Sequence, residues 1–298
     1  MRWRGDRQSS NVEDRSGSGG RPAGKIAAGG GIGVFLIAIL VFFISGGDLS
    51  TVTDTLGGDI TPATYETENV STKEYTDQKE FAAVVFAHLE DYWNGEFDQL
   101  NESYQNPKLV LFTDSVSSAC GQASSQVGPF YCPADQNVYL DLSFADELSS
   151  KYGATGDYAM AYVIAHEVGH HVQNELGISA QLDKIRKRVS ETEYNKYSVR
   201  LELQADYLAG CFSKYLAGET YQGQPILEEG DIDEAITAAN AIGDDTLQKE
   251  YQGYVVPDSF THGTSQQRID WFKRGFKYGD LDHGNTFNEK NLDLSVAA

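Results

Sequence analysis

Basic residues are the first shortage. The chain carries 23 Lys and Arg against 44 Asp and Glu, a formal charge of −21 over 298 residues. Nucleic-acid binding needs clustered cations facing phosphate, so that class of partner is excluded. The acidity reads instead as a solvated surface. Cysteine is scarcer still, with only Cys120, Cys132 and Cys211. The first two lie in "ACGQASSQVGPFYCPAD", where Gly121, Gly128 and Pro133 predict a loop. A Cys120–Cys132 disulfide could close that loop in an oxidising compartment. Two reduced thiols in a tight loop are the alternative. Cys211 falls in a helical pattern and reads as a small core residue. Internal repeats are absent, and so are long hydrophobic runs, with one exception.

The exception is the stretch 26–45, "IAAGGGIGVFLIAILVFFIS", which is uncharged and long enough to cross a bilayer. It predicts one transmembrane anchor. The leading tail, 1–25, is polar and Gly/Ser-rich and is expected to be disordered. It holds Arg2, Arg4, Arg7, Arg15, Arg21 and Lys25, whereas the trailing side opens with Asp48, Asp54 and Asp59. The positive-inside bias then puts the N-terminus in the cytoplasm and the remainder outside, as a single-pass protein of the cell membrane. A cleaved signal peptide fits less well, because the run exceeds a usual h-region and "ISGGD" makes a poor cleavage site. Residues 46–75 read as an extracytoplasmic linker, and residues 76–298 as the folded domain.

That domain opens on an amphipathic helix, with Phe81, Val84, Val85, His88 and Leu89 at helical spacing. His88 reads there as a satisfied core residue rather than a ligand. Strands are expected over 108–114 and 136–144, where Val138, Leu140 and Leu142 alternate with Tyr139, Asp141 and Ser143. Helical patterns follow at about 157–176, 178–190, 195–216, 230–243 and 264–277. The class is therefore α+β, mainly helical with a small β-sheet.

What is present in abundance is titratable chemistry inside an apolar helix, in "HEVGHHVQNELG". His166 and His170 are one turn apart on one face, so two imidazoles can hold one Zn²⁺. Glu167 projects beside that face, where its carboxylate can act as a general base toward a water activated by the metal. The flanking Ala159, Ala161, Val163, Ile164, Ala165 and Val168 make such charges costly unless they are paired or metal-bound. Gly169 costs about 1 kcal/mol of helix stability relative to Ala, which points to a close approach by another backbone. His171 lies about 140° around the helix from His166 and should point elsewhere, to the surface or behind the ligands. The metzincin pattern needs Gly at 173 and His at 176, but the chain has Gln173 and Leu176. The third ligand is sought in "RLELQADYLAGCF", where Glu202 and Asp206 share one face. Glu202 completes a His₂Glu set, and Asp206 can fix the tautomer of a ligand histidine.

The stretches "GPFYCPADQNVYLDLSF", "YVIAHEVGHHVQNELG", "RLELQADYLAGCF" and "THGTSQQRIDWFKRGF" together resemble the bacterial neutral zinc metallopeptidase family, from about residue 75 onward. The resemblance implies a zincin-like fold, with zinc on His166, His170 and Glu202 and with Glu167 catalytic. "THGTSQQRIDWF" is also similar to the segment that follows the zinc helices in CAAX-protease-like metallopeptidases. That similarity implies that His262 donates to the oxyanion and that Arg268 braces the site by an ion pair. A helix-start role for His262, with Thr264 or Ser265 as cap, is the alternative. In zincins an edge strand pairs with the peptide substrate, and "NVYLDLSF" is expected in that role, with Tyr139 and Asp141 beside the bound chain. An interior strand without substrate contact is the alternative.

The expected function is a membrane-anchored zinc endopeptidase acting on protein or peptide substrates. Two non-enzymatic readings compete with it: a binding module that keeps a structural zinc, and a receptor for cationic peptides or wall components.

Overall fold

The structure, a computed structural model, describes residues 1–16 and 75–288. Helix α1 (Thr76–Gln99) lies across one face of a four-stranded sheet. The sheet order is β1 (Val12–Asp14), β2 (Lys108–Phe112), β6 (Asn137–Asp141), β5 (Phe130–Cys132). The first three strands run parallel, and β5 is antiparallel to β6. β5 is an edge, while β6 is interior and buried over Val138–Asp141. A hairpin of β3 (Ser115–Ser118) and β4 (Gly121–Ser124) branches from the far end of β2. Cys120 and Cys132 are joined by a disulfide and pack with Val110, Phe112, Phe130 and Tyr139 in a small core of their own.

The helices follow: α2 (Phe144–Ser150), α3 (Asp157–Glu175), α4 (Ile178–Arg186), α5 (Glu191–Gly218), α6 (Asp231–Ala241), α7 (Asp244–Gln252) and α8 (Ser265–Tyr278). A short ribbon of β7 (Thr220–Tyr221) and β8 (Gln224–Pro225) separates α5 from α6. Helix α3 is apolar nearly all round because α1, the sheet, α5 and α6 enclose it. Two glycine contacts fix how the helices around the zinc motif meet. A Cβ on Gly169 of α3 would sit 3.2 Å from the Cα of Ala205 on α5, so the missing side chain brings those two backbones together. A Cβ on Gly275 of α8 would sit 1.9 Å from the carbonyl oxygen of Tyr207. Only glycine allows α8 to lie that close to α5.

The N-terminal tail departs from expectation. Met1 and Trp3 are buried in the main core, and β1 adds a strand to the sheet beside β2. The Met1 ammonium lies 2.6 Å from Asp157 Oδ1 and 3.2 Å from Asp231 Oδ1. Three of the arginines that suggested a cytoplasmic segment take part in this docking. Arg4 pairs with Asp77 at 2.7 Å, Arg7 pairs with Asp91, and Arg2 reaches Glu228 at 3.2 Å. His88 Nε2 is 3.0 Å from Asp6 Oδ2, which accounts for that histidine without a ligand.

This corrects the membrane topology. Among the described residues no helix is long and apolar enough to cross a membrane. The stretch 26–45 itself lies outside the described residues, as does the expected linker 46–75 except for Tyr75. Residues 1–16 share a core with residues 75–288, so they cannot sit on the opposite side of a bilayer from the domain. The cytoplasmic tail, the transmembrane anchor and the single-pass localisation are therefore withdrawn.

Candidate metal centre

Helix α3 presents His166, Glu167 and His170 to a cleft, and α5 meets it with Glu202 and Asp206. His166 Nε2 is 3.1 Å and His170 Nε2 is 3.4 Å from the two carboxylate oxygens of Glu202. One donor atom from each of the three residues falls within 4.8 Å of the other two. Glu202 is 1 % exposed, and its Oε1 accepts no hydrogen bond. A buried carboxylate oxygen left so is costly unless a cation faces it. Two imidazole nitrogens and one carboxylate are the donor set of a catalytic zinc site. The residues therefore fit a divalent ion held between α3 and α5.

Each histidine is fixed from behind. Asp206 Oδ1 accepts from His166 Nδ1 at 2.8 Å, which turns Nε2 toward Glu202. Asp206 is wholly buried and also accepts from Tyr162 at 2.6 Å and from Arg268 through both oxygens at 2.9 Å. Burial alone would raise its pKa. The Arg268 guanidinium and His166 outweigh that and bring it to about 2. Arg268, 2 % exposed, braces the site as its ion pair, one turn into the α8 that Gly275 brings close. His170 Nδ1 is 2.9 Å from Gln173 Oε1, and Gln173 in turn donates to the Leu201 carbonyl of α5 at 2.7 Å. Burial lowers the His166 pKa, yet Asp206 and Glu202 raise it to about 9. For Glu202 the order is similar: burial works upward, and His170 and His262 carry it well below the carboxylate range.

Glu167 lies beside the ligands in the same cleft, half-buried. Desolvation is the main influence on its carboxyl and raises its pKa, against the lowering pull of His170 and His166. The cleft, of about 190 Å³, is walled by Phe130 and Tyr131 of β5 and by Val163, Leu182 and Leu247. His262 is at its border, in the turn before α8. Thr264 is the N-cap of α8 and forms a capping box with Gln267, the cap that the helix-start reading of this segment expects, and His262 lies two residues before it.

The strand expected beside the substrate is interior rather than an edge. Tyr139 and Asp141 belong to interior β6 and are 1 % and 0 % exposed. Tyr139 stacks on Phe130 and donates to Asp135 at 2.8 Å, while Asp141 accepts from the Ser143 amide and hydroxyl. Neither lines the cleft, which is bordered by the edge strand β5. His171 is fully buried rather than at the surface. It is held between Tyr131 of β5 at 3.1 Å and the Gln105 carbonyl at 2.6 Å, and burial lowers its pKa. Sequence reasoning missed Tyr162 and Gln173. Both were signalled by helical spacing, four residues before His166 and three after His170.

A family model described as "Putative neutral zinc metallopeptidase" matches residues 1–287. The chain belongs to that zinc metallopeptidase family. The match begins at residue 1, so the docked tail falls within the family's extent. YpfJ of Escherichia coli (strain K12), described as an uncharacterized protein, is 47% identical over 294 residues, 97% of this chain and 99% of that one. A second relative, the uncharacterized protein Rv2575 of Mycobacterium tuberculosis (strain H37Rv), is 40% identical over 195 residues, 63% of this chain and 65% of its own length. No solved structure matches.

Proposed function

We propose that the protein is a zinc-dependent endopeptidase in which Glu167 is the general base. Membership of the family carries the general reading, and the position of Glu167 in the cleft beside the His166, His170 and Glu202 cluster carries the mechanism. A zinc ion on those three residues supplies a Lewis acid for the scissile carbonyl and for the attacking water. Glu167 takes a proton from that water and delivers it to the leaving amide nitrogen. Asp206, Tyr162 and Arg268 hold His166, and Gln173 holds His170, so the ligands are set before substrate arrives. His262 donates to the oxyanion that develops on the carbonyl.

The substrate is an extended peptide. Edge strand β5 borders the cleft through Phe130 and Tyr131, and a peptide laid along a sheet edge is held through its backbone regardless of sequence. The apolar cleft walls at Val163, Leu182 and Leu247 favour an apolar side chain next to the scissile bond. The test is Glu167→Gln on the full chain, read by metal analysis and by cleavage of an unfolded protein. The variant keeps zinc and loses about a hundredfold or more in rate, the usual share of a general base. Cleavage at the parental rate would refute the mechanism. A zinc-replete parent that cleaves nothing would favour a structural zinc.

A further inference from the structure

His262 owes its place to a carboxylate that no motif reading singles out. Asp244 opens α7, is 3 % exposed, and is eighteen residues earlier in the chain. Its Oδ2 accepts the backbone N–H groups of Thr261, His262 and Gly263 at 2.8, 2.7 and 3.0 Å. Its Oδ1 stands 3.4 Å from His262 Nδ1, which also meets Thr261 Oγ1 at 2.9 Å. The Asp244 amide returns a bond to the Gly263 carbonyl at 2.9 Å.

The contact continues on both sides of the carboxylate. Asp245 Oδ1 accepts from the Ser265 amide at 2.7 Å, and the Thr246 and Ser265 hydroxyls are 2.7 Å apart. A Cβ on Gly243 would lie 2.3 Å from the Ser265 nitrogen, so the two turns are packed backbone to backbone. Gly263 has φ +87, and a Cβ there would meet Val199 and Leu203 of α5 at 3.1 and 3.4 Å. The segment "GDDT" at 243–246 thus clamps the segment "THGTS" at 261–265 against α5.

Three amide donors on one buried carboxylate oxygen exceed what is needed to close a surface turn. They fix the Cα of His262, and the second oxygen and Thr261 fix the rotation of its ring. We propose that Asp244 is the positioning residue for His262, aiming its imidazole into the cleft where the scissile carbonyl becomes an oxyanion. This rests on the peptidase reading above.

Asp244→Asn separates holding the turn from holding the ring. The amide oxygen can still accept the three backbone N–H groups, while the NH₂ group replaces the acceptor in front of Nδ1. The experiment measures kcat, KM and zinc content for parent, D244N, H262A and the double variant on the full chain. It adds ring ¹⁵N shifts of His262 for parent and D244N. The expected result is a fall in kcat of tenfold or more for D244N, KM within twofold, zinc retained, and a displaced Nδ1 resonance. In the H262A background D244N changes kcat by less than twofold. An equal loss in both backgrounds, or unchanged ring shifts, overturns the proposal. The ring shifts need no turnover, so they decide the positioning claim even if the parent cleaves nothing, which would defeat the peptidase reading alone.

Discussion

The candidate metal ligands depend on what stands behind them. His166 and His170 each have one nitrogen turned to Glu202 because the other is held by Asp206 or Gln173. Partners of this kind are worth about 10–100-fold in metal affinity. Asp206 is the more exacting of the two, since it also neutralises the buried Arg268. Asp206→Asn should therefore weaken zinc binding by about that factor and lower stability, because a buried guanidinium loses its counter-charge. Competition with a chromophoric chelator measures the first effect, and thermal unfolding the second. Parental zinc affinity in this variant would mean that Asp206 serves the fold alone. At this scale much was legible. The HExxH spacing and the Glu202/Asp206 spacing are local helical patterns, and α-helix geometry converts them into shared faces without tertiary information. Asp244 was not legible, because its three amide bonds exist only once two turns meet.

At the scale of elements, the centre is a contact between α3 and α5 whose spacing is set by Gly169. Gly169→Val would raise intrinsic helix propensity, yet its side chain would press on the Ala205 backbone. Overpacking of this kind costs about 1–3 kcal/mol. The variant should unfold at a lower temperature and bind zinc more weakly, since Glu202 moves away with α5. Calorimetry with and without added zinc distinguishes the two losses. A variant as stable as the parent with full zinc affinity would show that the helices do not need that approach. The strands were harder to read than the helices. β6 has the alternation of a half-buried strand, yet β2 and β5 flank it and its Tyr139 and Asp141 are covered. β5 is only three residues long, and "FYC" between a Pro and a Pro carries no period to detect. Which strand is the edge is a property of the sheet, and no single strand's sequence encodes it.

At the scale of the molecule, the tail is part of the folded unit. Composition made residues 1–25 look disordered, because Gly, Ser and Arg cannot bury much apolar surface alone. The first sixteen are ordered by partners far along the chain: Asp157 and Asp231 for Met1, α1 for Arg7 and Ser9, and β2 for β1. Trp3 shows how much rests on this. It is 7 % exposed, packs edge-on against Phe81 and donates to Asp157 at 3.0 Å. Trp3→Ala should cost about 3–5 kcal/mol, in the range for deleting a buried aromatic ring. Chemical denaturation reads that directly, and a midpoint equal to the parent's would mean that the tail is not docked in solution.

The account as a whole rests on one divalent ion joining α3 to α5. The most direct measurement is anomalous diffraction at the zinc absorption edge from crystals of the full chain grown with zinc. The account predicts one strong peak within bonding distance of His166 Nε2, His170 Nε2 and a Glu202 oxygen. A map without that peak, or with zinc bound elsewhere and Glu202 turned away from the histidines, would contradict it.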